Sequence, residues 1–268
     1  MNADRIRQSG VTLSFLLCII GSAIGSGAAG GTPITEAAGG ALSSDATLLA
    51  PAGPAFGIWS IIYAGLGAYT VFQWLPSQKS SHRQRRLGWW VAASMLLNAA
   101  WILSIQADLL VWSVPVIAVL LAVLAVLFLR YTSLKSSSRI DAVITDGKLG
   151  LYLGWVCVAV CANITAALVA AGFTGFGLPA GFWAVAVLAV VAVVGSLLAL
   201  HGNGRLAVAA AIAWGLAWIV VGRTAGAPES TTAAVAAGAA AAVVVLTTAA
   251  VRVRRLSRPA VTHQSATP

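Results

Sequence analysis

The sequence predicts an all-α fold, a polytopic membrane helix bundle of about eight transmembrane helices with both termini on the cytoplasmic side (N-in/C-in). Of the 268 residues, 59% are hydrophobic and only 9% are charged, whereas roughly a quarter of the residues in soluble domains are charged. The apolar residues form eight blocks close to the length of about 20 residues that crosses a bilayer as a helix, and basic residues cluster between alternate blocks. The chain is therefore predicted to be an integral, multi-pass membrane protein, and the plasma (inner) membrane is its expected location.

The apolar blocks, taken in order, are interpreted as membrane spans. Their predicted limits are Val11–Gly30, Pro54–Trp74, Leu87–Ile105, Leu109–Tyr131, Leu149–Gly172, Phe182–Leu200, Leu206–Gly222 and Thr232–Val251. The first block follows Arg5 and Arg7 and ends in small residues, so it also fits a cleaved signal peptide. Retention is favoured, because Gly21 and Gly25 form a G-x-x-x-G face suited to close helix packing.

The charge distribution predicts the orientation of these spans. If the N-terminus is cytoplasmic, fifteen of the sixteen basic residues lie on the inner side and only Arg223 lies outside. Four of the seven acidic residues lie on the outer side: Glu36, Asp45, Asp108 and Glu229. The positive-inside rule therefore predicts the N-in, C-in topology. The net charge of +9 then reflects orientation and attraction to anionic lipid of the bilayer, and nucleic acid is not expected as a partner.

The connections differ in length and composition. The outer segment Gly31–Ala50 is the longest, and a loop of this length is often a lid or a binding loop. The polar segment 132–148 is predicted to be a hydrated loop, and residues 257–268 are predicted to form a disordered cytoplasmic tail. Three tryptophans of the last spans are assigned to packing or interfacial anchoring: Trp183, Trp214 and Trp218.

Neither a metal site nor a catalytic centre is predicted. Cys18, Cys157 and Cys161 fall inside predicted spans and are interpreted as small buried residues rather than as metal ligands or disulfide partners. The sequence contains no nucleophile, base and orienting acid at a suitable spacing, and no phosphate-binding loop. The chain is therefore predicted not to be an enzyme and to require no cofactor.

Three spans carry aromatic and amide residues at helical spacing, and these residues predict a ligand site. The eight predicted ligand-binding residues are Trp59, Tyr63, Asn98, Trp101, Tyr152, Trp155, Ala159 and Asn163. An amide inside a span needs a hydrogen-bond partner. Ser94, Asn98 and Trp101 share one face of the third span and are therefore expected to hydrogen-bond a neighbouring helix, to line a cavity, or to do both.

The same residues form three family motifs. F-x-x-x-W-x-x-L-Y is matched in the second span by Phe56, Trp59, Ile62 and Tyr63. L-N-x-x-W is matched in the third span by Leu97, Asn98 and Trp101, and P-Y-x-x-W-x-x-x-A-x-x-x-N is matched in the fifth by Tyr152, Trp155, Ala159 and Asn163. With these motifs in this order, the chain resembles the tryptophan-rich sensory protein family, also called the TspO/MBR or translocator protein family. The resemblance covers about residues 1–172, which it marks as a TspO/MBR-like five-helix membrane region, and leaves 173–256 as three additional transmembrane helices.

The resemblance implies a function. Members are five-helix membrane proteins, often dimers, that bind porphyrins, haem-related tetrapyrroles, cholesterol or benzodiazepine-type drugs among their helices. We therefore expect a sensor- or receptor-like protein with a hydrophobic small molecule as partner, a tetrapyrrole as candidate ligand, a homodimer and an unidentified signalling partner. The alternative is a transporter of such a molecule, although no charged residue is predicted inside a span to couple transport to ions. An aromatic pocket with a few amides suits a flat apolar ligand, because rings stack on it and amides orient it.

The chain also departs from the family pattern. Pro51 and Pro54 are separated and no tryptophan precedes them, and Leu151 replaces the proline before Tyr152. Ser104 and Ile105 replace an aromatic pair after the third-span motif. The three additional helices can cover the dimer surface of the family, which would give a monomer, or they can create a different cavity.

Overall fold

The structure, a computed structural model, describes residues 3–30 and 32–257. Within these ranges, eight helices are long and apolar enough to cross a membrane and no β-strand is present, which confirms the predicted all-α membrane bundle. They are α1 (Ala3–Gly25), α2 (Ile58–Phe72), α3 (His82–Gln106), α4 (Leu110–Ser133), α5 (Lys148–Ala170), α6 (Ala180–His201), α7 (Leu206–Thr224) and α8 (Thr231–Leu256). The predicted tail, 257–268, lies outside the described residues apart from Ser257.

Turns of other helical geometry lead into α2 and α5. A 3-10 turn, Gly53–Gly57, precedes α2, while Arg139–Asp141 and the π-helical Ala142–Gly147 precede α5. The hydroxyl of Ser138 accepts a hydrogen bond of 3.1 Å from the backbone N–H of Asp141. This bond caps the first turn, because a helix start leaves backbone N–H groups without partners inside the helix.

The prediction of a hydrated loop at 132–148 is wrong for residues 139–147, which extend α5 as a helix. The carboxylates of Asp141 and Asp146 both accept hydrogen bonds from the guanidinium of Arg83, which is itself buried. Polar residues that would otherwise require water find their partners inside the protein, so this part of the segment does not need to be solvated.

Helix α1 lies nearer the N-terminus than the predicted span Val11–Gly30. Its first turns are polar but are satisfied by the residue that follows α2. Arg7 Nη1 donates to the side-chain oxygen of Gln73 at 3.1 Å, and Gln8 Nε2 donates to the Gln73 backbone carbonyl at 2.7 Å. These bonds allow the helix to begin before the apolar block does.

The predicted glycine face of α1 packs directly on α3. A methyl group added at Gly21 would lie 3.2 Å from the Cβ of Ala99, and one added at Gly25 would lie 2.2 Å from the Cγ1 of Ile102. The two helices therefore approach too closely for a larger residue at Gly25, which confirms the packing role predicted for the G-x-x-x-G face.

The helices pack as one connected series. Helix α1 lies along α3, and α3, α4, α5 and α7 each contact the next in turn. Helix α8 packs on both α7 and α6, while α6 touches α5 only lightly and α2 contacts α1 and α5. A methyl group added at Gly154 of α5 would lie 2.3 Å from the backbone oxygen of Val208, so α7 is in close backbone contact with α5.

The two ends of the bundle differ in composition, and we name them accordingly. The basic end carries Arg83, Arg205 and Arg252, together with the start of α1 and the end of α8. The loop end carries the long connection 26–57 and the turns at 107–109, 171–179 and 225–230. The cytoplasmic location of the basic end remains the prediction of the positive-inside rule.

Candidate functional site

Five aromatic side chains from α2, α3 and α5 meet near the loop end, and we call them the aromatic box: Trp59, Tyr63, Trp101, Tyr152 and Trp155. The ring of Trp59 stacks on Tyr63 and Trp101, with centroid distances of 5.4 and 6.1 Å and interplanar angles of 18° and 26°. Tyr152 and Trp155 meet the same ring edge-on at 5.9 and 6.2 Å. These are the distances and orientations of stabilising aromatic pairs. The three stripes read from the sequence therefore converge on Trp59.

The hydroxyl of Tyr63 joins three helices at one side of the box. It accepts hydrogen bonds from Ser22 Oγ of α1 at 2.7 Å and from Asn98 Nδ2 of α3 at 3.3 Å. The expectation that Asn98 bonds a neighbouring helix is thus confirmed. Ser22 was not predicted, although it lies between the two glycines that bring α1 close to α3.

A second hydrogen-bond group joins α3, α4 and α5. Trp101 Nε1 donates to Asn163 Oδ1 at 3.0 Å, and Asn163 Nδ2 donates to the hydroxyl of Ser113 at 2.9 Å. Both alternatives stated for the third span hold for Trp101, because it bonds a neighbouring helix and also lines a cavity. Ser113 was missed by sequence reasoning, since a lone serine early in an apolar span carries no pattern.

The aromatic box borders a small cavity of about 30 Å³. Five of the eight predicted ligand-binding residues line it: Trp59, Trp101, Trp155, Ala159 and Asn163. The other three, Tyr63, Asn98 and Tyr152, hold helices together beside it; the Tyr152 hydroxyl donates to the backbone oxygen of Ser94 at 3.1 Å. A volume near 30 Å³ is about the share of one water molecule, so the side chains of the box fill most of the space between them.

The connection before α2 covers this cavity, and we call residues 41–51 the lid. Ala41, Leu42, Thr47, Ala50 and Pro51 form its wall on the loop side, within and just after the segment Gly31–Ala50 that is predicted to be a lid or a binding loop. Within the lid, the hydroxyl of Ser43 hydrogen-bonds the carboxylate of Asp45 and lowers the pKa of that carboxyl below its usual value. The carboxylate is therefore ionised at neutral pH.

Arg223, at the end of α7, holds the lid from behind. Its side chain is only 1% exposed, and its guanidinium donates to the backbone oxygens of Thr47 and Pro228 at 3.0 Å and of Ala227 at 3.1 Å, and also to that of Ser44. Sequence reasoning treated Arg223 only as the one outer basic residue. Its position as the one basic residue on the predicted outer side was the sequence feature that could have indicated a structural role. A buried guanidinium in that role requires several fixed acceptors.

Helix α7 also fixes the start of α2. The backbone N–H of Ala52 donates to the Trp218 carbonyl at 3.0 Å, and Trp214 Nε1 donates to the Ala55 carbonyl at 2.9 Å. Packing, one of the two roles predicted for these tryptophans, is confirmed for Trp218, which packs against the core, whereas Trp214 is 41% exposed. A helix beyond the five-helix region thus bears directly on the site.

Two polar atoms at the cavity wall are buried without a partner in the described part of the chain. They are Nε1 of Trp155, whose side chain is 1% exposed, and the hydroxyl oxygen of Thr47, which is 6% exposed. A buried N–H donor without an acceptor costs about 1–3 kcal/mol. Both atoms are themselves buried, so a molecule can pair with them only after the lid has moved.

A second and much larger cavity, of about 560 Å³, lies between α5 and α6. Cys161, Ile164 and Leu168 of α5 line one wall, Trp183 and Val187 of α6 line another, and residues 46–49 close the end. Thr47 borders both cavities. Trp183 had been assigned to packing or anchoring, and nothing in its sequence context predicts a cavity, because the space exists only where α6 leaves α5.

The basic end contains a network of ion pairs around the buried side chain of Arg83. Arg83 contacts Asp141 at 2.5 Å and also Asp146, and Asp146 contacts Arg205 at 2.8 Å. The ammonium of Lys148 lies 3.8 Å above the ring of Tyr69. These charged groups lie just before the predicted spans, which begin at Leu87, Leu149 and Leu206, and the helical extension of α5 brings Asp141 and Asp146 to Arg83. In residues 3–30 and 32–257, no group of three His, Cys, Asp or Glu side chains is placed to hold a metal ion.

Comparison with known families supports the motifs in α2, α3 and α5. The sequence model of the family described as TSPO-like protein matches residues 11–250, a range that continues through the last three helices to within α8. Searches of curated proteins and of solved structures returned no match. Because the family match covers most of the 268 residues, the chain belongs to the TSPO-like protein family.

Proposed function

We propose that the protein binds a flat, apolar molecule of the porphyrin or sterol type in the aromatic box and acts as a membrane sensor or receptor. The observation that carries this proposal is the unpaired N–H of Trp155 in a wall built from three indole rings. Indole faces stack on a flat ring system, and one unpaired donor orients a ligand acceptor. No described residue accepts from this donor, so a ligand acceptor can pair with it without breaking an existing hydrogen bond.

Binding requires the lid to move. A cavity of about 30 Å³ has no room for a multi-ring molecule, so the ligand must displace residues 41–51. The contacts that hold the lid are hydrogen bonds from Arg223 and Trp218 to backbone atoms, which can break and re-form. Ligand binding would therefore alter the contacts of α7, and this change is the signal that a partner protein would read.

Titration with protoporphyrin IX tests the proposal, with the shift of the porphyrin absorption band as readout on the purified full-length protein. We expect saturable binding that weakens about ten-fold in Trp59→Phe, because the central stacking surface shrinks. Asn98→Ala is expected to weaken binding about three-fold, since it acts through Tyr63. Trp112→Phe serves as the matched control, because the Trp112 side chain is 68% exposed and outside the box. Equal affinity in all four proteins, or saturable binding of neither porphyrin, haem nor a sterol, would reject the box as the ligand site.

Transport of such a molecule is the second candidate, and the ion pairs of the basic end favour it. Charged side chains buried between membrane helices often mark coupling or translocation pathways, and Asp146 bridges Arg83 of α3 and Arg205 of α7. Flux of protoporphyrin IX in proteoliposomes, accelerated by a proton gradient and abolished in Asp146→Asn, would establish transport. Binding without gradient-dependent flux would leave the sensor as the function.

A further inference from the structure

The cavity between α5 and α6 is a separate compartment from the aromatic box. The box cavity is bordered by Val158, Ala159 and Ala162 of α5, whereas the larger cavity is bordered by Cys161, Thr165 and other residues of the same helix. The two sets lie on different faces of α5, and Thr47 of the lid borders both. The larger volume, about 560 Å³, falls within the range of about 300–1,000 Å³ typical of small-molecule sites.

The walls of this cavity define the chemistry of its occupant. Its lining is mainly aliphatic and aromatic: Leu48, Leu49, Ile164, Leu168, Val169, Phe173, Leu178, Trp183 and Val187. No Asp, Glu, Lys or Arg side chain is among the described residues that line it. A charged molecule would have to lose its hydration there without a counter-charge, so the occupant is neutral.

Three threonines line the cavity, Thr47, Thr165 and Thr174, and Thr47 is the buried one. The Thr47 hydroxyl is buried, and no described residue supplies it with a hydrogen-bond partner. The indole N–H of Trp183, by contrast, is already bonded to the Gly175 carbonyl at 3.0 Å. The polar group of the occupant is thus directed towards the lid, and its apolar remainder lies along α5 and α6.

The cavity is open to the surface of the bundle near the loop end. Leu168, Val169 and Leu178 line it and are 42%, 54% and 44% exposed. Helix α6 packs on α8 and touches α5 only lightly, which leaves the gap through which a lipid-soluble molecule can enter from the bilayer.

We propose that this cavity binds a neutral, mainly aliphatic lipid-like molecule whose single hydroxyl or carbonyl group pairs with Thr47. The site is built partly from α6, which lies outside the five-helix region that carries the family motifs, and it does not depend on ligand binding in the aromatic box. It provides the protein with a second ligand of different chemistry, long and aliphatic rather than flat and aromatic.

A long-chain primary alcohol that carries a photoreactive diazirine at the far end of its chain tests this site. The full chain in proteoliposomes is irradiated, digested and analysed by mass spectrometry. We expect label in peptides that contain residues 161–187, reduced at least five-fold by excess unlabelled alcohol. The corresponding long-chain carboxylate probe at neutral pH is expected to label the same peptides at least five-fold less.

Three variants locate the binding. Val187→Trp fills the cavity and is expected to abolish the competed labelling, while Val193→Trp, the same substitution at a 59% exposed position of α6, leaves it unchanged. Thr47→Val keeps the side-chain volume and is expected to weaken alcohol binding about five-fold through loss of one hydrogen bond. Labelling that excess alcohol does not reduce, that Val187→Trp does not affect, or that the carboxylate matches would overturn the proposal.

Porphyrin titration of the same variants separates the two sites. Val187→Trp that binds protoporphyrin IX normally but loses the alcohol label supports a distinct second site. Unchanged porphyrin binding together with retained alcohol labelling in Trp59→Phe would reject only the function proposed for the box. If neither substitution changes the competed labelling, the second site is rejected whatever the porphyrin result.

Discussion

The two ends of the bundle are closed by different physical means. At the basic end, the buried side chains of Arg83, Asp141 and Asp146 and the partly exposed side chain of Arg205 join α3, α5 and α7 through ion pairs. At the loop end, Arg223 donates hydrogen bonds only to backbone oxygens of connecting segments. Two cavities lie next to the lid, and aromatic rings form part of their walls. One end joins helices to helices, and the other joins a helix to a loop.

The difference indicates which end can open. Separating a buried ion pair leaves charges without partners in a medium of low polarity, which is costly. Releasing a loop from a guanidinium exposes backbone groups that water can satisfy at the membrane surface. The basic end is therefore expected to be the fixed end of the bundle and the loop end the mobile one.

The largest effect is expected at the basic end. Arg83→Met would leave Asp141 and Asp146 without their shared guanidinium and should lower the free energy of unfolding by about 3–5 kcal/mol. Thermal unfolding in detergent, followed by circular dichroism, measures this change. Arg85→Met is the matched control on the same helix; its side chain is 54% exposed in its ion pair with Asp4, so little change is expected. Equal effects of the two substitutions would contradict the idea of a fixed basic end.

An intermediate effect is expected at the lid. Arg223→Met removes four hydrogen bonds to backbone oxygens and should cost about 2 kcal/mol, with faster hydrogen exchange confined to residues 43–51. Hydrogen exchange with mass spectrometry measures this loss of protection. Thr224→Val, next in sequence, removes a hydroxyl that bonds only its own helix and should leave exchange unchanged. Faster exchange spread evenly over α7 and α8 would argue against a lid held by one residue.

The smallest effect is expected from substitutions of two tyrosines of α2, Tyr63 beside the aromatic box and Tyr69 beside Lys148. Tyr63→Phe leaves Ser22 and Asn98 without their shared acceptor and should destabilise the protein by about 1 kcal/mol. In the described chain, the buried hydroxyl of Tyr69 has no hydrogen-bond partner, so Tyr69→Phe should be neutral or slightly stabilising while the ring below Lys148 is kept. The difference in melting temperature between the two variants is the measurement. A larger loss in Tyr69→Phe would mean that this hydroxyl contributes to the basic end.

Much of the fold and of the box follows from local patterns. Apolar block length predicts the spans, and helical spacing places Trp59, Trp101, Trp155 and Asn163 on faces that meet. The partners Ser22 and Ser113 did not follow, because one hydroxyl in an apolar helix looks the same whether it bonds a neighbour or its own backbone. The family match likewise reaches into α8, whereas the recognisable motifs end in α5.

The remaining features depend on contacts between distant segments. The helical extension 139–147 exists because Arg83, more than fifty residues earlier, neutralises its carboxylates. The larger cavity depends on the divergence of α6 from α5, and the hydrophobic periodicity of the sequence does not predict that divergence. Arg223 is the intermediate case: its place on the acidic side was visible in the sequence, but its four acceptors were not.

Thr47 gives the lid a property that neither cavity has alone. Because this residue borders both spaces, any shift of the lid that improves one site changes the shape of the other. Thermodynamic linkage then requires reciprocity. If a ligand in one cavity changes the affinity of the other cavity for its ligand by some factor, the second ligand changes the affinity of the first by the same factor. A bilayer lipid could in this way set the threshold at which the protein responds to a scarce ligand, so that its response would report membrane composition as well as ligand concentration.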